Sequence, residues 1–167
     1  MLVNKISEIL TVLKPYNAEL VIATKYATSD QIKEIGAGQS SVIFGENRVQ
    51  VALEKQRECA DLTQPWHFIG HLQRNKLKKV IGAFDCFHSV DSIRLLQAMQ
   101  DESLKKDVQT SILLQLNPLN DESKFGFLPN ELQSVIDHFK QCPNISIRGV
   151  MGMAPLTDDQ QKIRHTF

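Results

Sequence analysis

Short apolar runs alternate with amphipathic stretches along the whole chain, and this alternation predicts the fold. Residues 20–24, 42–44, 67–69, 86–90, 111–116 and 146–151 are short, rich in β-branched and aromatic residues, and bounded by turn formers. Between them, residues 29–37, 48–60, 72–81, 92–101 and 129–140 carry helical spacing of apolar positions. Asp30 or Ser29 is a candidate cap for the first helix and Asp91 or Ser92 for the fourth; Pro129 suits a first turn, and Gly36 and Gly38 a helix end. The strands are mostly apolar on both faces, which is the pattern of a parallel sheet covered by helices. The expected class is α/β, doubly wound or barrel.

The residues at the strand ends separate these two layouts. Lys25 follows the first strand, Gly45, Glu46 and Asn47 end the second, and Gly70 and His71 follow the third. Ser89 and Asp91 end the fourth, Asn117 follows the fifth and Gly152 the sixth. A doubly wound sheet gathers its site at one switch point, whereas polar residues on every strand converge only in a closed barrel. The barrel is favoured, with Glu46 and Asn47 facing its mouth.

Composition narrows the class of partner. The chain has 167 residues, enough for one domain with a substantial core, and a formal net charge of zero. No nucleic-acid or membrane surface is expected from that balance. The three cysteines, Cys59, Cys86 and Cys142, are scattered without a C-x-x-C pair and read as reduced thiols. The start of the chain lacks the apolar run and cleavage site of a signal peptide, so a cytoplasmic protein is expected.

Among candidate chemical groups, Lys25 has two readings: a solvated lysine at a strand end, or an amine placed for use. Asn47 could cap the helix that follows it, contact a ligand, or do both. His67 and His71 lie on a strand and the loop beyond it, so their spacing does not make a helical metal pair. Arg74, Lys76, Lys78 and Lys79 form the wet face of a helix whose apolar side holds Leu72, Val80 and Ile81. The loop chemistry of residues 117–126 suits a lid or a plain long connection. No dinucleotide fingerprint, Walker loop or H-E-x-x-H motif occurs.

The stretches "ATK", "FGENRVQ", "WHFIGHLQRNK", "HSVDS", "LQLNPLNDESKFGF" and "RGVMGMAP" appear in that order. Together they resemble the pyridoxal phosphate homeostasis protein family, small barrels that bind pyridoxal 5′-phosphate (PLP). The resemblance implies a TIM-type (β/α) barrel of the alanine racemase N-terminal-domain kind. It also implies a PLP carrier in vitamin B6 and amino-acid homeostasis, without established catalytic activity. By the same resemblance Lys25 carries PLP as a Schiff base, Asn47 stands near the cofactor, and His67, Ser89 and Met151 line the pocket. An amine attacks an aldehyde only as the neutral base, so a lysine leaving a dry barrel interior is expected at such a position.

The family continues past "RGVMGMAP" to two further strands that hold the cofactor phosphate, whereas this chain stops at Phe167. An incomplete barrel of about six of eight βα units is therefore expected, as one domain over residues 1–167. It would be a monomer or weak oligomer, self-associating through open strand edges, with PLP held weakly and little preference over pyridoxal. A PLP-dependent racemase or decarboxylase, and a fragment that binds PLP poorly, are the rival readings.

Overall fold

A computed structural model describes residues 2–121 and 124–167. The chain forms two compact units, Met1–Gly70 with Ala83–Asp85, and His71–Gly82 with Cys86–Phe167.

The first unit contains helix α1 (Leu2–Leu13), strand β1 (Leu20–Ala23), α2 (Ser29–Gly38), β2 (Val42–Glu46), α3 (Val49–Glu58) and β3 (Trp66–Phe68). Its strands pair in parallel, with Ala23 opposite Gly45 and Gly45 opposite His67. That register, with the two-residue period of a strand, puts Ile22, Phe44 and Trp66 on one face and Ala23, Gly45 and His67 on the other. The first face is the one α3 covers. Phe44 and Trp66 lie ring to ring at 5.3 Å on it, and α3 adds Lys55 against Glu46.

Helix α2 starts at Ser29, as the sequence suggests, but neither Ser29 nor Asp30 caps it. Thr28 is its cap, accepting from the Gln31 N–H while the Gln31 side chain takes the Thr28 N–H. The reciprocal pair outcompetes Asp30 and Ser29 because it satisfies two orphan donors at once. Ile32 and Ile35 then point inward, both essentially without exposure.

The second unit contains α4 (Leu77–Val80), β4 (Cys86–Val90), α5 (Ile93–Lys106), β5 (Thr110–Gln115), α6 (Leu132–Phe139), β6 (Ile145–Met151) and α7 (Gln160–Thr166). Its three strands are also parallel, with Val90 opposite Leu114 and Leu114 opposite Val150. Ser92 caps α5 by accepting from the Leu95 N–H. The buried Gln100 side chain exchanges two hydrogen bonds with Asn144 and ties α5 to the turn before β6. The expected helix over 72–81 is shorter than its apolar pattern: a 3-10 turn at Arg74–Lys76 leads into the single turn of α4. Its sidedness is as expected, with Leu72, Val80 and Ile81 buried and Arg74, Lys78 and Lys79 exposed.

The three cysteines are free thiols, each buried. Among the described residues no helix is long and apolar enough to cross a membrane.

Candidate functional site

In the first unit the chain turns sharply after β1. Thr24 carries the pivot: its N–H donates to the Gly45 carbonyl at 2.8 Å, and its hydroxyl donates to the same oxygen and to Glu46 Oε2. Its own carbonyl accepts from the Ala27 N–H at 2.9 Å and from Lys55 Nζ at 2.7 Å. Lys25 and Tyr26 form the bend between Thr24 and Ala27. The Lys25 carbonyl accepts from Arg48 Nη2 at 3.2 Å, so the peptides on both sides of the Lys25 Cα are tied.

The Lys25 side chain stands in solvent rather than in a dry interior, which corrects the expectation for its surroundings. Its ammonium lies 4.7 Å from the centroid of the Tyr26 ring, a cation–π contact at an exposed site. Among the described residues no carboxylate lies within ion-pair distance of it.

Lys55 is the opposite case. It is 8% exposed and donates both to Glu46 Oε2 at 2.9 Å and to the Thr24 carbonyl. Glu46 is wholly buried beneath α3 and does not face outward with Asn47 as the sequence suggested. Strand alternation explains this: the turn begins after Glu46, so Glu46 keeps the helix-facing side of β2. Its second oxygen accepts from the N–H groups of Asn47 and Arg48. It thereby does the work expected of an Asn47 cap, and no side chain caps α3 from the cap position itself. Burial raises the Glu46 carboxyl, but the Lys55 ammonium, the Asn47 N–H and the Thr24 hydroxyl outweigh it and hold the group below its ordinary value.

Asn47 is exposed, and its backbone runs close to Gly70. A Cβ at Gly70 would lie 2.2 Å from the Asn47 carbonyl oxygen, so only glycine fits there. His67 is half-buried on the face of Ala23 and Gly45. Desolvation lowers its imidazole pKa against the opposing pull of Asp85 and Glu19, which favours the neutral ring. Lys25, Asn47 and His67 thus share one unit and the C-terminal end of its three strands.

Ser89 and Met151 belong to the second unit. Met151 lies one residue beyond the Leu114–Val150 pair and on its opposite face, and Ser89 precedes Val90 within an irregular stretch of β4. Ser89 is buried on β4. Met151 ends β6 and lines a cavity of about 220 Å³ with Asn117, Leu119, Lys124 and Phe125. Asn117, 7% exposed, shapes that cavity's loop: its amide donates to the carbonyls of Asp121 and Lys124 and its oxygen accepts from the Asp121 N–H. Glu122 and Ser123 of the loop lie outside the described residues. His71 stacks on Phe125 at 4.6 Å and approaches Asp91 at 3.5 Å, so the loop is tied to the end of β4. Reading residue types alone singled out neither Lys55 nor this His71–Phe125 stack. A lysine at helical spacing from Ala52 on α3 and from Cys59 just beyond it, both buried, was the available signal.

The family model described as alanine racemase, N-terminal domain, matches residues 2–167. The chain is 32% identical to the pyridoxal phosphate homeostasis protein of Aquifex aeolicus, over 90% of this chain and 65% of that one. It is 31% identical to the protein of the same name from Helicobacter pylori strain J99, over 89% of this chain and 68% of that one. Among solved structures, PipY of Synechococcus elongatus with PLP bound superposes with a TM-score of 0.86 at 32% identity, covering 95% of this chain and 73% of that one. The PLP-free form of PipY gives 0.87 at 33% identity, over 94% and 73%. The fold is the α/β barrel of the alanine racemase N-terminal-domain kind, with six strands among the described residues. The chain spans about half to two thirds of the length of the curated relatives it matches.

Proposed function

The chain belongs to the pyridoxal phosphate homeostasis protein family, and from that premise we propose that it binds PLP as a carrier in vitamin B6 and amino-acid homeostasis, with Lys25 as the point of covalent attachment. The observation that carries the reading is the contrast between two lysines at one strand end. Lys55 is fully engaged by Glu46 and Thr24, while the Lys25 amine stands exposed with no carboxylate paired to it among the described residues.

When bound, PLP supplies an aldehyde carbon, and a free amine on a fixed backbone is the group that fits it. Lys25 provides that amine. The Thr24–Ala27 turn limits where the amine can reach, which shortens the search for a productive geometry. His67, whose burial favours the neutral ring, adds no charge beside an anionic ligand. Asn47 adds an amide that both donates and accepts. In the second unit, Ser89 and Met151 are the residues proposed for contact with PLP, and residues 1–167 are read as one PLP-binding domain. The role proposed is carriage rather than catalysis, in keeping with the name the relatives bear.

Reduction of a PLP-treated sample with borohydride, followed by peptide mapping, tests the assignment. The expected label is on Lys25, and Lys25→Ala removes it while leaving the circular dichroism unchanged. A label on Lys76 or Lys124 instead would reject it.

A further inference from the structure

Lys55 stands where an apolar residue is expected. Ala52 and Lys55 are the buried residues of α3, and Cys59, the residue that follows its last turn, continues their stripe; Ala52 and Cys59 are 0% and 2% exposed. Burying an ammonium costs desolvation and side-chain entropy, and a buried ion pair seldom exceeds a well-packed apolar pair in stability. Stability alone therefore gives no reason for the pair. What an apolar pair cannot do is hold a hydrogen-bond donor 2.7 Å from the Thr24 carbonyl.

We infer that Lys55 is a positioning residue for Lys25: its buried ammonium, anchored on Glu46, holds the Thr24 carbonyl and so fixes the turn from which the Lys25 side chain departs. The inference rests on the reading of Lys25 as the PLP attachment point. One carboxylate organises both sides of the turn. Glu46 Oε2 orients Lys55 and the Thr24 hydroxyl, and Glu46 Oε1 takes the N–H groups of Asn47 and Arg48. Arg48 in turn donates to the Lys25 carbonyl. Thr24 and Lys25 are thereby clamped through consecutive carbonyls, one by a buried cation and one by an exposed one. The Lys25 amine keeps its freedom only beyond its own Cα.

Three variants of the full chain separate positioning from general stability. Lys55→Met removes the donor. The Glu46→Leu/Lys55→Met pair also removes the charge that would otherwise be left unpaired, and keeps the variant folded if the single change does not. Lys106→Met is the control: its ammonium also holds backbone carbonyls, those of Lys78 and Ile81, but in the second unit. Two readouts are taken: amide exchange of Ala27 without PLP, and borohydride-trapped PLP on Lys25 relative to the exposed Lys14. Both Lys55 variants should speed Ala27 exchange and cut Lys25 labelling by about tenfold, with Lys14 unchanged. Lys55→Arg should recover part of each, and Lys106→Met should lower the unfolding midpoint without moving either. Wild-type exchange and labelling in the folded double variant, or equal losses in Lys106→Met, would overturn the inference. A wild-type chain unlabelled at Lys25 would overturn the PLP reading itself, and Ala27 exchange would still decide whether Lys55 sets the turn.

Discussion

The Lys55 ammonium lies 2.9 Å from the Glu46 carboxylate, beneath α3, where Glu46 has no exposure at all. Removing one member leaves the other charged and buried. Glu46→Ala is therefore expected to lose about 3–5 kcal/mol of stability, as breaking buried pairs does elsewhere. The Glu46→Leu/Lys55→Met pair is expected to lose distinctly less, because both charges go together. Urea denaturation of the two variants checks the order, and a double variant no more stable than the single one would contradict it.

The same carboxyl makes stability depend on acid. Its folded pKa lies below its ordinary value. Its contribution is thus complete above that ordinary value, about 4.3, and is lost as pH falls through the lower folded value. Wild type should lose midpoint steeply in that window. Glu46→Gln should start lower and show a shallower slope there, as followed by thermal melts from pH 6 to pH 3.

His67 acts in a higher window with the same sign. Its folded pKa is lowered, chiefly by desolvation, so the unfolded chain binds the proton more readily. Stability is full above about 6.5 and declines as pH falls from there through the folded value. His67→Gln should remove this part of the pH dependence. NMR titration of the wild-type ring should give a midpoint below that of a free histidine, and a midpoint above it would reject the assignment.

Much of this was legible in the chain, and the rest was hidden for identifiable reasons. The strands show as short, mostly apolar runs because the inner strands of a parallel sheet need them: β4 has the expected bounds, and the other five differ by one or two residues at one or both ends. Lys25 and Asn47 could be placed just past strand ends, and His67 on the third strand, because side-chain alternation and turn residues mark those ends. Glu46 could not be placed, since its face depends on where β2 stops, and β2 runs two residues past the expected end at Phe44. Lys55 was hidden more deeply. A lysine in a helix reads as solvated, and its partners, Glu46 and the Thr24 carbonyl, lie 9 and 31 residues away in sequence. The Thr28 cap was missed because two better-ranked cap residues follow it, and only the reciprocal bond to Gln31 decides.

Gly70 sets the path of the chain beside Asn47. A methyl group there would stand 2.2 Å from the Asn47 carbonyl oxygen and 2.7 Å from its Cα, both backbone atoms that cannot swing aside. Gly70→Ala should cost about 1–3 kcal/mol, the usual range for overpacking. It should also shift the Asn47 and Arg48 amide resonances, which report the hydrogen bonds to Glu46. A variant with the wild-type midpoint and spectrum would show that the two segments separate easily.

Asn117 governs the loop beside Met151 through three hydrogen bonds, two donated by its amide to the Asp121 and Lys124 carbonyls and one accepted from the Asp121 N–H. It is buried, so alanine would leave those loop groups to find water or open. Asn117→Asp distinguishes the two halves of the network, because a carboxylate can still accept from Asp121 but can donate nothing. Asn117→Ala should speed exchange of the Asp121 amide by at least tenfold. Asn117→Asp should preserve much of that protection while loosening the far side of the loop at Lys124. Since Phe125 meets His71 from this loop, Asn117→Ala should also move the His71 ring resonances. Exchange at Asp121 equal in wild type and Asn117→Ala would mean that the loop's other contacts hold it, the His71–Phe125 stack and the Gln115 bond to the Phe125 carbonyl among them, and His71→Ala would then test the share of the stack.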